Sequence, residues 1–151
     1  MFTLRVMTAK DIPEAFSIRT STIENALTLA ELEEDYGLTP DSLGAAMKGS
    51  ACGWVGEVDG KAVGFAMGDG ATGEITVIAV RPEFEGLGLG TELLQTVQSW
   101  LFSKGHRELW LLTTPDPNLR AYKLYVAKGW SATGEIIDED EKFVLLSPSG
   151  T

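Results

Sequence analysis

The segment Pro82-Glu83-Phe84-Glu85-Gly86-Leu87-Gly88-Leu89-Gly90-Thr91 decides how the rest of the chain is read. Its three alternating glycines stand between a β-branched run, Glu74 to Val80, and a stretch of helical periodicity that begins at Leu89. Glycine lets the backbone approach an anion closely, and the unpaired N–H groups at a helix start point toward it. A plain turn has no need of three such residues, each of which loses conformational entropy on folding. Gly86 to Thr91 is therefore read as an anion-binding loop. Two common anion loops do not fit. A nucleotide-hydrolase loop ends in Gly-Lys-Ser/Thr, and no lysine occurs here. The dinucleotide fingerprint places its third glycine where Thr91 stands and follows its strand directly, whereas Arg81 to Phe84 intervene.

Outward from the loop, Glu74 to Val80 reads as a strand with Glu74, Thr76, Ile78 and Val80 on one face and Ile75, Val77 and Ala79 on the other. After the loop, Leu89, Leu93, Val97, Trp100 and Leu101 form one side of a long helix that Gly105 stops. Glu108 to Thr113 is the next apolar strand. A strand, helix and strand in succession imply parallel pairing within one sheet. Upstream, Gly53 to Val58 and Ala62 to Met67 make a hairpin about Asp59-Gly60. The first third holds a strand, Phe2 to Met7, and three helix starts. Thr8 with Asp11 and Thr28 with Glu31 are capping-box pairs, the second helix ending near Tyr36-Gly37, and Thr39-Pro40 opens the third. Downstream, Asn118 to Lys128 is a helix ended by Gly129. Two last strands, Trp130 to Ile137 and Lys142 to Leu146, flank the acidic run Asp138 to Glu141, read as a solvated hairpin tip. The whole is a single domain over residues 1–151, an α/β fold with a mixed sheet of about seven strands flanked by four to five helices.

Composition narrows the functions. The chain has 151 residues, 44% hydrophobic and 23% charged, as a folded globular domain does. No apolar run is long enough to span a bilayer, and the N-terminus lacks a signal-peptide layout. A net charge of −10 without a basic patch opposes nucleic-acid binding and suits a cationic partner. Lone Cys52 forms no internal disulfide and reads as a small apolar residue, and His106 has no second ligand at metal-binding spacing. A cytoplasmic protein without a metal is expected.

Two segments resemble signatures of the GNAT acetyltransferases. Val80, Pro82, Phe84, Gly88 and Gly90 match that family's Val-x-Pro-x-aromatic stretch and its Gln/Arg-x-x-Gly-x-Gly/Ala loop, with Glu85 at the usual Gln/Arg position. Asn118, Ala121, Leu124, Tyr125, Gly129 and Trp130 fill every fixed position of the second signature, with Asn118, Ala121 and Tyr125 on one helix face. The resemblance covers Glu74 to Trp130 directly, and the strand order extends it.

What the resemblance implies is an acetyl-CoA-dependent N-acetyltransferase acting by direct attack of an amine on the thioester. Gly86, Leu87, Gly88, Leu89, Gly90 and Thr91 would bind the pyrophosphate of coenzyme A. Ile78, Ala79 and Val80 would offer main-chain hydrogen bonds to the pantetheine arm, and an amide near Ile78 would face the oxyanion. Tyr125 would be the general acid, with Tyr122 the other phenol, and Asn118 would hydrogen-bond the cofactor or a bridging water. Glu74 is the candidate base, acting through water with its pKa raised by burial, and Glu24 is its rival. Thr76 and Thr113 would orient water. The acceptor is a small-molecule or peptide amine that no motif specifies, and homodimers are common in the family. Two other readings stay open: an inactive acyl-CoA-binding module, and a dinucleotide-dependent reductase.

Overall fold

The structure, a computed structural model, describes residues 2–21, 28–36 and 39–147. Glu24 and the expected helix end at Gly37 lie outside them. The described residues form seven strands in one sheet, in the order β1-β2-β3-β4-β5-β7-β6. The strands are β1 (Phe2–Val6), β2 (Ala51–Val58), β3 (Lys61–Asp69), β4 (Glu74–Val80), β5 (Glu108–Thr113), β6 (Ser131–Ile137) and β7 (Asp140–Leu146). The helices are α1 (Ile12–Ser21), α2 (Leu29–Tyr36), α3 (Pro40–Lys48), α4 (Leu89–Ser103) and α5 (Arg120–Ala127).

Local chemistry sets the helix starts. The Thr8 N–H donates to Asp11 Oδ2 at 2.8 Å, but the residues Ala9–Asp11 wind as a 3-10 turn and α1 begins only at Ile12. Thr28 and Glu31 exchange backbone-to-side-chain bonds of 3.2 and 3.1 Å, and Thr39 and Ser42 do likewise at 2.9 and 3.1 Å. Each pair satisfies orphan N–H groups of a first turn.

Hydrophobic side chains on the two sheet faces divide the core. Leu93, Leu94, Val97 and Leu101 of α4 pack with Leu109, Leu111 and Phe143 on one face. On the other, Ile12, Ala15 and Ile18 of α1 pack with Phe65, Met67 and Ala79. β4 does not alternate as the sequence suggests. Met67 pairs with Val77 and Gly68 with Ile75, so Thr76 is an extra residue in a β-bulge. The bulge resets the pleat. Ile75 joins Ile78 and Val80 on the α4 face, leaving Val77 and Ala79 on the α1 face. The expected grouping of Ile75 with Val77 and Ala79 is thus corrected, because strict period two holds only in an unbulged strand.

The sheet is antiparallel except between β4 and β5, which run parallel as the crossover through α4 requires. That parallel ladder contains one pair, Glu74 with Trp110. Beyond it the two strands part.

Candidate active site

The loop after β4 leads into the N-terminus of α4 through glycines of left-handed conformation. Pro82–Phe84 makes a 3-10 turn, and Gly88 caps α4 with φ of 88°. Gly86 likewise has φ of 80°, a region L side chains rarely adopt. A Cβ built at either glycine would meet nothing within 4 Å, so open space faces the loop. Among the described residues, no backbone carbonyl accepts from the N–H groups of Gly86 to Thr91; the first bond of α4 runs from Glu92 N to Gly88 O at 3.1 Å. Leu89 fixes this start. Its side chain is 2% exposed and fills the spot where a Cβ on Gly56 would lie 2.5 Å from Leu89 Cδ1. Leu87 points to solvent at the loop tip.

Where β4 and β5 part, a cavity of about 640 Å³ opens. It is lined on the α4 face by Gly90, Leu124 and Tyr125, and on the α1 face by Phe16, Phe65 and Met67. The space therefore passes through the gap in the sheet. One wall is β4 from Ile75 to Val80, whose other edge is taken by β3 while this edge has no ladder partner. Unpaired main-chain donors and acceptors here call for an extended, amide-bearing ligand, as a sheet edge does. An amide-containing arm ending in a pyrophosphate fits both the edge and the loop.

The predicted side chains fall into two groups. Tyr125 lines the cavity, is 7% exposed and packs beside Trp130 and Phe143 at 6.1 and 6.2 Å between ring centroids. Burial pushes its phenol up to about 12, so it stays protonated at neutral pH. Tyr122 instead stacks edge-on against Phe143 at 5.0 Å and does not line the cavity. Thr76 and Thr113 do line it, the Thr76 hydroxyl donating to Met67 O at 3.3 Å. Ile78, Ala79, Val80, Gly86, Gly88, Gly90 and Thr91 all border it; Leu87, which is exposed, and Leu89, which is buried in the core, do not line it.

Asn118 and Glu74 stand apart. α5 starts at Arg120, not Asn118, because the Asn118 N–H is held at 3.0 Å by Asp116 Oδ1 in a turn before the helix. The helix face expected to unite Asn118, Ala121 and Tyr125 is therefore not formed at Asn118. Glu74 sits where β4 and β5 still pair, outside the cavity lining. Burial, then the negative charge of Asp69, raises its pKa, as expected of a base, but Glu74 is not among the residues that line the cavity.

Three charged residues of the site, Arg120, Asp140 and Arg19, were not expected. Glu85 is bridged by Arg120, Nε to Oε2 at 3.0 Å, so the loop and α5 meet through an ion pair. Asp140 lines the cavity, whereas the acidic run was read as a solvated tip. Only Asp138 and Glu139 make the turn, with φ of 49° and 74°, and Asp140 is already the first residue of β7. Hairpin register carried one residue inward was the signal available. Arg19 on α1 also lines the cavity.

A model of the acetyltransferase (GNAT) family matches residues 15–130. An uncharacterised N-acetyltransferase of Methanocaldococcus jannaschii is 35% identical over 81 residues, which are 52% of this chain and 52% of that protein. A mycothiol acetyltransferase of Stackebrandtia nassauensis is 36% identical over 81 residues, 50% of this chain and 26% of that protein. The matches thus span about half the length of one named relative and a quarter of the other. Among solved structures, the PaiA N-acetyltransferase of Thermoplasma acidophilum in complex with coenzyme A superposes with a TM-score of 0.83 at 15% identity, covering 97% of this chain and 99% of that one. The family match covers both the anion loop and the α5 region, and the seven-stranded fold agrees with it. The chain belongs to the GNAT acetyltransferase family.

Proposed function

We propose that this protein is an N-acetyltransferase that moves the acetyl group of acetyl-CoA onto an amine by direct attack. The observation that carries this reading is continuity: the unpaired N–H groups of Gly86 to Thr91 run into the unpaired edge of β4, and Tyr125 lies at the same cavity. The named relatives are N-acetyltransferases, and the PaiA structure holds coenzyme A.

Acetyl-CoA supplies a thioester, so the amine nitrogen gains the acetyl group, the thiol leaves protonated, and one proton passes to solvent. The loop N–H groups hold the pyrophosphate at the positive end of α4. Main chain from Ile78 to Val80 binds the amide arm, and an N–H in this stretch faces the developing oxyanion. The Tyr125 phenol donates its proton to the departing sulfur and regains one from the amine nitrogen through water.

Calorimetric titration with acetyl-CoA, and with NADH as control, tests the cofactor; thiol release on adding amines tests the transfer. Acetyl-CoA is expected to bind at micromolar concentration and NADH not at all. No binding of acetyl-CoA overturns the reading. The alternative of an inactive acyl-CoA-binding module rests on the carboxylate of Glu85 and on an unproven base; the ion pair to Arg120 counts against the first of these.

A further inference from the structure

Among the described residues, the carboxylates that line the cavity are Glu85 and Asp140. Glu85 is held by Arg120 beside the anion loop. No hydrogen bond or ion pair among the described residues engages the Asp140 side chain; its recorded interactions are the charges of Glu139 and Asp138.

Strand register places that carboxylate. Trp110 pairs with Val144, Leu112 with Lys142 and Thr113 with Glu141. One step further sets Asp140 opposite Thr114, on the sheet face shared with Trp110, over whose ring Lys142 Nζ lies at 5.4 Å. This face is opposite to Leu109, Leu111 and Phe143, which are buried beneath α4. Glu74, paired with Trp110, has the same facing but sits at the closed end of the gap. The step from Trp110 to Thr114 is roughly 13 Å at strand rise, so Asp140 stands at the open end.

Tyr125 thus borders the cavity from the α5 side and Asp140 from the opposite sheet face. A thioester in the gap has a leaving sulfur and an attacking nitrogen on opposed sides of its carbonyl, which suits this placement. Much of the surface on the Asp140 side is apolar, from Phe16 of α1, Leu43 of α3, and Phe65 and Met67 of β3, with Arg19 and Thr114 among its polar members. Arg19, in the same part of the cavity, already has an interaction partner within the protein.

Resting on the acetyl-transfer reading, we propose that Asp140 receives the acceptor's ammonium group and takes its proton, and that the acceptor is a primary amine on an apolar body. One N–H bond breaks and one carboxyl O–H bond forms. The neutral nitrogen then has its lone pair for attack, and Asp140 later releases the proton to solvent. Loss of hydration, followed by the charges of Glu139 and Asp138, raises the pKa of Asp140, making it a better base than a solvated aspartate. Other charges near it are accounted for. Glu141 accepts from Gly134 N at 3.0 Å, Lys142 covers Trp110, Arg19 lies on α1, and Arg120 is paired with Glu85 on the α5 side.

The test uses 4-phenylbutylamine and its neutral counterpart 4-phenylbutanol, titrated calorimetrically into the full chain saturated with coenzyme A. Asp140→Asn is expected to weaken amine binding roughly tenfold or more, the loss of one charged hydrogen bond, and to leave the alcohol unchanged. The same variant is expected to lower kcat/KM for the amine about 100-fold and to abolish its acidic limb. Its affinity for acetyl-CoA, unchanged within twofold, reports that the variant folds. Amine binding equal in wild type and Asp140→Asn overturns the proposal. So does failure of the coenzyme-A-loaded wild type to bind the amine, which leaves the cofactor reading intact. Failure to bind acetyl-CoA itself is the separate outcome that overturns the acetyl-transfer reading and this one with it.

Discussion

Arg120 Nε lies 3.0 Å from Glu85 Oε2, joining the first turn of α5 to the loop that precedes α4. The position that would ordinarily offer a neutral or cationic side chain to a pyrophosphate carries a carboxylate, and its charge is balanced by a residue far along the chain. The pair is partly solvent-exposed, Arg120 by 67% and Glu85 by 28%, so its worth to folding is small. Its effect is expected instead on the proposed binding of coenzyme A.

Glu85→Gln is expected to tighten coenzyme A about fivefold, and Arg120→Ala to weaken it by a similar factor, roughly 1 kcal/mol each way. Raising the ionic strength should shrink both effects. Calorimetry at two salt concentrations checks this; equal affinities in wild type and both variants would mean that the pair faces away from the anion.

Gly88→Ala places a Cβ in open space but at φ of 88°. The expected loss is about 1–2 kcal/mol of stability from backbone strain alone, read by denaturant unfolding. Gly88→Glu is expected to retain the fold and abolish coenzyme A binding, since a carboxylate then occupies the loop. Binding at wild-type strength would remove Gly86 to Thr91 from the site.

Tyr125→Phe should lower turnover about 100-fold with acetyl-CoA affinity within twofold. Tyr125→Ala should instead cost about 3–5 kcal/mol of stability, because the ring packs between Trp130 and Phe143. The phenol's folded pKa of about 12 lies above its ordinary value near 10. Its contribution to stability is therefore complete below about pH 10 and is lost as pH rises toward 12. Alkaline unfolding of Tyr125→Phe should be shifted upward accordingly.

Asp11 titrates in the opposite sense. The Arg5 guanidinium, bonded to it at 2.7 and 2.8 Å, holds its carboxyl at about 2, below its ordinary value near 3.8. The stabilisation is present above about pH 4 and is lost as pH falls toward 2. Asp11→Asn should reduce stability by about 1 kcal/mol at pH 7, where it also loosens the turn into α1, and should flatten the acid dependence between those limits. Unfolding midpoints at pH 7, 4 and 2 decide it.

Local chemistry was legible along the chain. Alternation and turn residues located the hairpin of β2 and β3, the threonine caps marked α2 and α3, and glycine spacing marked the loop between β4 and α4 as the candidate anion site. These follow from forces between near neighbours: pleat, helix period, capping and the steric freedom of glycine. Tertiary structure decided the rest. Thr76 became a bulge because Met67 and Gly68 on the adjacent strand pair across it, and that moved Ile75 to the other face. The single β4–β5 pair left Glu74 at the closed end of the gap, and strand register along β5 carried Asp140 to the open end. Glu85, before α4, and Arg120, at the start of α5, met although α4 and β5 lie between them in the chain. Which carboxylate lines the cavity unpaired and which is neutralised depends on distances between residues remote in sequence. The sequence by itself determined the elements and the loop; only the packed sheet decided the partners.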